Sequence, residues 1–379
     1  MIKTTIIHNL SLKSIGGIQR TFTSFSKFAN ESSEFRHVIY TNHKVDKNYK
    51  GQLEIQFKYL KNPVNFFLFC YHLCSKNSIV NFYNNLSSKK VYYLFKIINP
   101  TNIIFHERGN AWNIKSNKLK IYKFNSKKSS VIIVNSEASK LILKNKFRVD
   151  PSKIQIIYNG VLDNIKYPKK KLESEINVGF IGRLDTNKGV NIFIETAKKL
   201  NNFKFNIAGI GPLEKYFRDQ CVNQNNIFFR GKIENPYEFL KNQNLLIVPS
   251  IREPYGNVII EAGIMKVPVI AANVDGIPEI IKDGFSGVLI EPTDDLDKNL
   301  IQNKSLPFPE VVVNSRGQLA KPKQINPSLL AKEILVLLSD YNKMDFISKN
   351  LYSFVKINNK GEKYFLSLEK IFKKLLSGK

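Results

Sequence analysis

The sequence predicts an α/β protein with two doubly wound parallel-sheet domains. A chain of 379 residues exceeds what one ordinary hydrophobic core accommodates. Short β-rich runs alternate with helical segments in both halves, which is typical of a mostly parallel sheet. A polar, charged, Pro-containing stretch at 167–174 separates the halves as a linker would. We therefore expect one domain at 1–168, a second at 169–350 and a C-terminal helical segment at 351–379.

In the first half, β-branched and apolar runs predict five strands, at Thr4 to His8, His37 to Thr41, Ile103 to His106, Val131 to Val134 and Ile154 to Tyr158. Between Tyr59 and Asn99 the chain is rich in Phe, Tyr, Leu and Lys, which predicts amphipathic helices. Two interpretations remain open for this segment. The aromatic and basic groups can together face a membrane interface, or the aromatics can pack in the core with Lys in solvent.

The second half repeats the alternation, with six predicted strands and three predicted helices. The strands are Val178 to Ile181, Lys204 to Ala208, Ile227 to Phe229, Leu245 to Val248, Val267 to Ala271 and Val288 to Ile290, and the helices are Val190 to Leu200, Leu213 to Val222 and Val258 to Met265. Residues 298–327 are polar and broken by proline, and predict an extended loop or insertion of unassigned role. Helical spacing at 329–376 predicts C-terminal helices, one of which is expected to cross back to the first domain.

The positive charge is concentrated in the first half. Residues 1–170 hold 29 Lys/Arg and 8 Asp/Glu, a net charge of +21, which leaves +6 for the remainder. Such a field attracts nucleic acid, an anionic membrane surface or phosphorylated lipids. A general Lys-, Asn- and Ile-rich composition is the alternative explanation. No helix-turn-helix, zinc-finger or RNA-recognition signature accompanies the charge, so we expect no nucleic-acid partner.

Cysteine usage and hydropathy predict a cytoplasmic protein. Three cysteines cannot form a disulfide framework in a chain of this length, which indicates a reducing compartment. Cys70 and Cys74 lack a second cluster that would complete a zinc site. The longest apolar stretch, 64–73, is too short to span a bilayer, and the N-terminus reads as a strand and not as a signal peptide.

Two glutamates lie eight positions apart at a strand end, a turn and a helix start. Glu253 lies on the loop after Pro249, and Glu261 lies on the helix after Gly256. Because ligands of doubly wound sheets bind at the carboxyl ends of strands, both carboxylates should face one crevice, where they can accept hydrogen bonds from sugar hydroxyls. The amides after Gly256 can bind an anion. Taken singly, each Glu would be a solvated surface residue.

Arg183 and Lys188 follow another predicted strand, five residues apart. The guanidinium is a planar fork and the ammonium a compact point charge, and together they suit a diphosphate. Gly209 and Gly211 follow the next strand and permit close backbone approach, with Pro212 suited to the first position of a helix. No third glycine completes a dinucleotide fingerprint, which argues against a nicotinamide enzyme.

In the first half, Gly16 and Gly17 lie between a strand and a helix, where backbone amides can bind a phosphate. His106 ends another strand of the same domain. A single histidine at a strand end is more often structural than catalytic, but in combination with the other motifs we predict His106 to lie in the active site.

The order of these motifs resembles glycosyltransferase family 4, whose members are retaining enzymes of the GT-B fold. The resemblance covers most of the chain. It is carried by Gly16-Gly17, His106, Tyr158-Asn159-Gly160-Val161, the segment from Gly182-Arg183 to Lys188-Gly189, Gly209-x-Gly211-Pro212, Phe229-Arg230-Gly231, Glu253 to Glu261, Pro268 to Ala271, Gly276 to Ile281 and Asp283 to Gly287.

The resemblance implies a role for each matching residue. Arg183 and Lys188 would hold the donor diphosphate, Glu261 the ribose and Glu253 the transferred sugar. Support for phosphate or sugar would come from Gly16, Gly17, Gly209, Gly211 and the amides of Gly256, Asn257 and Val258. His106 would lie near the reacting centre, and closure of two domains around a cleft would exclude water.

Two features bear on the chemistry that the resemblance implies. Lys266 stands where relatives usually carry a glycine. This difference affects the turn before the next strand and leaves both glutamates in place. Asp295 and Asp297 formally match a metal-binding Asp-x-Asp, but they follow the predicted strands, so we expect an exposed turn or helix cap. We therefore expect no metal and no cofactor besides the co-substrate. With no clear enzymic nucleophile, we expect leaving-group departure and acceptor attack on the same face of the sugar.

These expectations combine into one function. A retaining hexosyltransferase would move a hexose or N-acetylhexosamine, with a UDP-sugar favoured as donor, to a glycan or lipid-linked acceptor in cell-surface polysaccharide or lipopolysaccharide biosynthesis. It would work peripherally at the inner face of the cytoplasmic membrane, with its basic first domain on anionic lipid. The alternatives are a GT-B-like nucleotide-sugar epimerase and, on charge alone, a nucleic-acid-binding protein.

Overall fold

A computed structural model describes residues 4–13, 16–46, 49, 55–161, 175–301 and 308–378. The predicted linker at 167–174 lies outside these residues. The chain divides into two compact units, the first formed by 1–163 with 358–379 and the second by 164–357. The boundaries expected from the sequence, 168/169 and 350/351, differ from these divisions by five and seven residues.

The first unit contains a parallel sheet in the order β3-β2-β1-β4-β5-β6-β7. Its strands are β1 (Thr5–Asn9), β2 (Arg36–Thr41), β3 (Gln56–Tyr59), β4 (Ser78–Tyr83), β5 (Ile103–Glu107), β6 (Val131–Val134) and β7 (Ile154–Ile156). Its helices are α1 (Gly17–Ser32), α2 (Pro63–Cys74), α3 (Lys89–Ile97), α4 (Leu119–Lys128), α5 (Glu137–Phe147) and, at the end of the chain, α13 (Gly361–Leu376).

The central strand β4 corrects the prediction for residues 59–99, which anticipated helices alone. All six residues of β4 are buried, as are those of β5 and β6. A strand with both faces covered has no alternation of apolar and polar residues, so periodicity does not distinguish it from a buried helix.

The C-terminal helix α13 packs on α1, which confirms that a C-terminal helix crosses back to the first unit. The Phe365 and Phe25 rings lie 5.8 Å apart, and the Phe372 ring meets that of Phe35 at 6.1 Å. A bridge between Val161 and Lys360 begins the contact. The helix thereby supplies buried aromatics to a core that residues 1–163 form only in part.

A chain of hydrogen bonds runs through this core from β4 to α13. Tyr83 Oη lies 3.3 Å from His8 Nδ1, His8 Nε2 lies 3.0 Å from His37 Nδ1, and Ser33 Oγ lies 2.9 Å from His37 Nε2. Ser33 donates its one hydroxyl proton to Glu369 at 2.5 Å, so it accepts from His37. Each group therefore donates to the next, in the order Tyr83, His8, His37, Ser33 and Glu369, and both imidazoles are neutral.

The second unit contains a parallel sheet in the order β10-β9-β8-β11-β12-β13. Its strands are β8 (Asn177–Ile181), β9 (Lys204–Ala208), β10 (Ile227–Gly231), β11 (Leu245–Val248), β12 (Val269–Ala272) and β13 (Val288–Ile290), and a separate antiparallel pair is formed by β14 (Val312–Val313) and β15 (Leu319–Ala320). Its helices are α6 (Val190–Ala197), α7 (Glu214–Asp219), α8 (Pro236–Leu240), α9 (Asn257–Ile264), α10 (Lys298–Ile301), α11 (Pro327–Ser339) and α12 (Tyr341–Asn358). Two doubly wound parallel units are therefore confirmed.

Three local features refine the predictions for the second unit. The segment at 298–327 contains α10 and the β14–β15 hairpin, with 302–307 outside the described residues. Asp297 accepts a hydrogen bond from the Asn299 amide at the start of α10, as expected for a helix cap. Pro212 precedes the first residue of α7 by two positions, so it does not occupy the first helical position.

No helix among the described residues is long and apolar enough to cross a bilayer.

Acidification should destabilise the first unit through His37. Burial lowers the pKa of His37 from 6.5 to about 4. Folding therefore favours the neutral imidazole over the protonated one. The resulting contribution to the free energy of unfolding is fully present above pH 6.5 and is lost as the pH falls towards 4. Between pH 7 and 5 this loss is about 2 kcal/mol. In urea unfolding followed by Trp112 fluorescence, His37→Gln should show a pH dependence smaller by this amount.

The matched control is His43→Gln, which removes an exposed imidazole from the same unit. It should leave the wild-type pH dependence of unfolding unchanged. Equal pH dependence in wild type and His37→Gln would contradict the assignment of the acid sensitivity to His37.

Candidate functional site

The loops that carry Arg183, Lys188 and Glu253 lie at the switch point of the second unit's sheet. Strands β8 and β11 are neighbours there, although β9 and β10 separate them in sequence. The loop at 182–189 follows β8, and the loop at 249–256 follows β11. Because the strand order reverses between these neighbours, their carboxyl ends flank a crevice, which is where doubly wound sheets bind ligands.

Lys188 and Glu253 meet in direct contact across this point. Lys188 Nζ lies 2.6 Å from Glu253 Oε2, and the side chains are 26% and 8% exposed. The Ser250 hydroxyl donates to the same carboxylate oxygen at 3.3 Å. A predicted phosphate-binding cation and a predicted sugar-binding anion are thus held together, and the carboxylate is largely shielded from water.

The loop that carries Glu253 is fixed by Asp275, a residue that the sequence reasoning missed. Asp275 accepts from the Glu253 amide through Oδ2 at 3.0 Å and from the Val313 amide through Oδ1 at 2.7 Å. The Gly276 amide donates to the Glu253 carbonyl at 3.1 Å. Asp275 has a φ of 50°, a left-handed conformation that Asp tolerates better than most residues. The available signal was its Asp-Gly sequence, which marks a turn.

Arg183 extends outward from the same site. Its side chain is 64% exposed, and its Nε lies 3.6 Å from Asp185 Oδ2. The other carboxylate oxygen of Asp185 accepts from the Asn187 amide at 2.9 Å. The Asn187 carbonyl in turn accepts from the Ile251 amide at 2.9 Å, which joins the loop after β8 to the loop after β11. The guanidinium therefore projects from a tethered loop into solvent.

Glycines let these loops pack backbone against backbone. Gly189 has a φ of 69°, and a Cβ there would lie 2.0 Å from the Pro249 carbonyl oxygen. Gly209 has a φ of 139°, and its Cβ would lie 1.8 Å from the Gly182 carbonyl oxygen. Gly211 lies against the same loop after β8. Loop packing alone therefore accounts for Gly209 and Gly211, whatever they contribute to binding.

Helix α9 begins directly after the loop that carries Glu253. Gly256 is the N-cap residue, with a φ of 111° and no side chain to cap the amides of the first turn. The predicted anion-binding amides of Gly256, Asn257 and Val258 thus belong to a helix N-terminus. Glu261 lies farther along α9 and is 3% exposed, which excludes the interpretation of Glu261 as an exposed helix residue.

Lys266, which stands where relatives usually carry a glycine, adopts a glycine-like backbone conformation in the turn after α9. Lys266 adopts a φ of 52°, the left-handed conformation that a glycine adopts without strain. Its Nζ lies 4.7 Å from the centre of the Tyr352 ring, a cation–π contact that favours this geometry.

In the first unit, the predicted phosphate-binding glycines start the first helix. Gly16 is the N-cap residue of α1, with extended backbone, and Gly17 is the first helical residue. No acidic residue lies in the first turn of this 16-residue helix. Both glycines therefore lie at a helix N-terminus whose dipole favours an anion. The preceding Ser14 and Ile15 lie outside the described residues.

His106 lies at the end of β5 and is 1% exposed. Its Nε2 lies 3.0 Å from Asn81 Oδ1, and its Nδ1 lies 3.3 Å from Arg108 Nη2. Because Arg can only donate, Nδ1 accepts and Nε2 carries the proton. Burial, together with the nearby Arg108, holds the pKa of His106 well below its usual value. His106 is thus a neutral imidazole with both nitrogens engaged by protein groups.

Arg108 is the other group at this strand end that the sequence reasoning did not single out. It donates to Asn159 Oδ1 at 2.7 Å and to the Tyr364 hydroxyl at 2.7 Å, besides its contact with His106. Tyr364 lies on α13, so the guanidinium joins β5 to the C-terminal helix. Its position directly after His106-Glu107 was the available signal, but the partners are distant in sequence.

Glu107 organises the turn after β5. Its Oε1 accepts from the amides of Gly109, Asn110 and Ala111, and its Oε2 accepts from the Tyr122 hydroxyl at 2.6 Å. Burial raises the pKa of Glu107, and these hydrogen bonds oppose the rise. The carboxylate accepts hydrogen bonds from three backbone amides and one tyrosine hydroxyl, so its role is structural.

Among the described residues, no group of three or more His, Cys, Asp and Glu side chains is arranged to hold a metal ion.

Removing the Asp275 carboxylate should loosen the loop that carries Glu253. Asp275→Ala leaves the buried amides of Glu253 and Val313 without their acceptor, so we expect a loss of about 2–4 kcal/mol in the free energy of unfolding. The matched control Asp283→Ala removes an exposed carboxylate that accepts one amide, from Leu289. It should cost about 1 kcal/mol or less in urea unfolding. Similar losses in both variants would contradict the anchoring role.

The match to a family model lies almost entirely in the second unit. Residues 163–303 match the model of the family described as glycosyl transferases group 1. A Klebsiella pneumoniae protein, named as an uncharacterized 41.2 kDa protein in the cps region, is 30% identical over 224 residues, or 52% of this chain and 60% of that protein. The Staphylococcus aureus capsular polysaccharide biosynthesis glycosyltransferase CapM is 27% identical over 180 residues, or 45% of this chain and 44% of that protein.

A comparison with solved structures covers 98% of the chain and concerns the fold. The Anabaena protein Alr3699/HepE, solved in complex with UDP-glucose, superposes with a TM-score of 0.76 over 98% of this chain and 99% of that chain, at 17% identity. At this identity the likeness establishes the fold and not the substrate. The two parallel α/β units described above therefore form a GT-B fold, and residues 163–303 are similar to glycosyl transferases group 1.

Proposed function

We propose that this chain is a retaining glycosyltransferase. It moves a hexose or N-acetylhexosamine from a UDP-sugar to a glycan or lipid-linked acceptor in cell-surface polysaccharide or lipopolysaccharide biosynthesis. The observation that carries the proposal is the contact of Lys188 with Glu253 at the sheet's switch point, beside the exposed Arg183. Support comes from the family similarity of this segment, from the capsule-related relatives and from the UDP-glucose complex of the structural neighbour.

Charged side chains and backbone amides of the second unit bind different parts of the donor. Arg183 and Lys188 take the diphosphate, because both are cations on the loop at 182–189, which borders the crevice. The helix N-terminus at Gly256, Asn257 and Val258 adds amide donors for phosphate or sugar. Glu261 accepts from the ribose hydroxyls and Glu253 from hydroxyls of the transferred sugar. Gly16 and Gly17 of the first unit contribute the N-terminus of α1.

Donor binding requires an exchange at Lys188. A diphosphate that contacts Lys188 competes with Glu253, whose carboxylate lies 2.6 Å from the ammonium. Once Lys188 turns to phosphate, Glu253 is released to accept sugar hydroxyls. Phosphate recognition and sugar recognition are thereby coupled through one ion pair, and the ammonium also stabilises the charge of the leaving UDP.

Transfer proceeds through an oxocarbenium-like state on one face of the sugar. The bond from the anomeric carbon to the UDP oxygen breaks, and a bond from that carbon to the acceptor oxygen forms on the same face. The acceptor hydroxyl proton passes to the departing phosphate oxygen, so no enzymic nucleophile is required. We propose that this chemistry needs no metal, and full activity in chelator would support that point.

For His106 we propose a positioning role. Its ring nitrogens contact Asn81 and Arg108, which supports a role in orienting Arg108 directly after β5. A direct role at the reacting centre, near which the resemblance places His106, would require the imidazole to exchange one of these partners.

We place the enzyme in the cytoplasm, peripheral to the inner face of the membrane. The net charge of +21 over residues 1–170 supports an anionic membrane partner, and a lipid-linked acceptor would be presented there.

The donor site can be tested by binding and transfer with UDP-glucose, UDP-N-acetylglucosamine and GDP-mannose. A matching donor at 100 times its dissociation constant stabilises by about 2.7 kcal/mol, a shift of several degrees in melting temperature. Arg183→Ala should weaken UDP and UDP-sugar binding about 10- to 100-fold. Glu253→Gln should leave UDP binding equal or tighter, because Lys188 loses its competitor, and should lower transfer about 10- to 100-fold.

Arg218→Ala is the matched control, because Arg218 is an exposed arginine of the same unit paired with Glu214. It should bind UDP as wild type does. Release of UDP without any acceptor sugar product would favour the epimerase alternative. Failure of every nucleotide sugar to bind, or equal weakening by Arg183→Ala and Arg218→Ala, would overturn the donor site.

A further inference from the structure

Helix α2 exposes an apolar face to solvent. Val64, Phe67, Leu68 and Tyr71 are 66%, 72%, 38% and 66% exposed. Their spacing of i, i+3, i+4 and i+7 places them on one side of the helix. The helix contains no Asp, Glu, Lys or Arg, so nothing charged interrupts this side. An exposed helix face composed of aromatic and aliphatic side chains marks an interaction surface.

The opposite side of α2 packs into the core of the first unit, so the fold does not require the apolar residues of the exposed side. Phe69 and Leu73 are buried, and the Phe69 ring meets Tyr40 of β2 at 5.3 Å and Phe82 of β4 at 6.0 Å. The apolar residues that face outward therefore lie beyond those that the core needs.

The neighbouring helix α3 continues the surface on the same face of the sheet. Phe82 joins the two helices, because it contacts Phe69 of α2 at 6.0 Å and Phe95 of α3 at 5.8 Å. On the outer side of α3, Tyr93 and Ile97 are exposed. Each of these helices therefore presents at least one aromatic and one aliphatic side chain to solvent.

The charge around this surface has one sign. Residues 55–136 contain 13 Lys/Arg and a single acidic residue, Glu107, which is buried. The lysines that are exposed near α2 and α3 are Lys61, Lys76, Lys89, Lys90 and Lys96. Among the described residues none of these five forms an ion pair with a carboxylate. Apolar side chains are thus surrounded by uncompensated positive charge.

We propose that the apolar side of α2 with the lysines of α3 and its flanks, the α2–α3 surface, docks onto the interface of an anionic lipid bilayer. Aromatic side chains favour the boundary between headgroups and acyl chains, and lysines favour anionic headgroups. Stable membrane attachment of a peripheral protein needs two such signals together. The α2–α3 surface supplies both within one unit of the chain.

The sign of the charge argues against a second copy as the occupant. In a twofold interface the same patch meets itself, which would place lysines against lysines with no carboxylate to separate them. Nucleic acid would use the lysines and leave the protruding aliphatic side chains without a partner. A bilayer interface accommodates both kinds of group at once.

The α2–α3 surface deepens the membrane location in the proposed function, but its test does not depend on sugar transfer. The full chain is sedimented with vesicles of phosphatidylcholine alone or mixed equally with phosphatidylglycerol, without any nucleotide sugar. A failure of the donor site and a failure of this surface are therefore distinguishable. Wild type should bind the anionic vesicles and dissociate as salt is raised.

Two variants separate the apolar and the charged contributions. Phe67→Ser with Tyr71→Ser should weaken binding to anionic vesicles at least tenfold. Lys89→Gln, Lys90→Gln and Lys96→Gln together should weaken it on the order of 100-fold, since each lysine contributes about fivefold. The matched controls in the second unit are Leu335→Ser with Val336→Ser, and Lys215→Gln with Lys241→Gln and Lys332→Gln, all exposed positions. Both controls should bind as wild type does.

A fluorescence reading identifies the inserted face. The single tryptophan of the chain, Trp112, is fully buried and gives a constant background. Phe67→Trp should show a blue-shifted emission on addition of anionic vesicles, and the exposed control Val336→Trp should not.

Three outcomes would overturn the proposal. The first is an absence of binding to anionic vesicles at low salt. The second is equal weakening of binding by the α2 variant and by its control. The third is a wild-type dimer in sedimentation velocity that Phe67→Ser with Tyr71→Ser converts to a monomer, since that would assign the surface to self-association.

Discussion

Backbone-to-backbone packing of the loops after β8, β9 and β11 is the constraint on which the candidate site depends. At Gly189 and Gly209 the facing carbonyl oxygens lie where any Cβ would collide. Such proximity brings Lys188 within 2.6 Å of Glu253, although 65 positions separate them in sequence. The loops themselves carry the charged groups, so their spacing fixes the distance between the charges. A side chain inserted at either contact would separate the loops and, with them, the cation from the carboxylate.

The histidines of the first unit and the cations of the candidate site differ in their access to solvent. In the first unit, His8, His37 and His106 are enclosed, and burial lowers the pKa of each. They act as neutral hydrogen-bonding groups that connect strands to one another and to α13. In the second unit, Lys188 and Arg183 keep access to solvent at the ends of strands. The three histidines thus fix hydrogen-bonding geometry, whereas Lys188 and Arg183 keep a side that a ligand can approach.

The fold was predictable because short β-rich runs, glycines and proline mark the alternation of a parallel sheet. The proximity of the loops that carry Arg183, Lys188 and Glu253 was predictable, since these loops follow strands whose carboxyl ends share one sheet edge. Strand β4 was not, because it is fully buried and lies in a segment rich in Phe and Tyr whose composition resembles that of its flanking helices. Nor was Asp275, whose two amide partners lie on separate segments, or the contact of Arg108 with Tyr364 across 256 positions. Spacing in sequence carries no information on such long-range pairings.

The return of α13 to the first unit has a consequence for the order of folding during synthesis. The core around Phe22, Phe25 and Ile39 also includes Phe365, Leu368 and Phe372 from the last 22 residues of the chain. Those residues leave the ribosome after the second unit, 164–357, is already complete. Domains generally fold from the N-terminus onward as they emerge. Here the unit made first is completed only when α13 has been synthesised, because α13 covers part of its aromatic core.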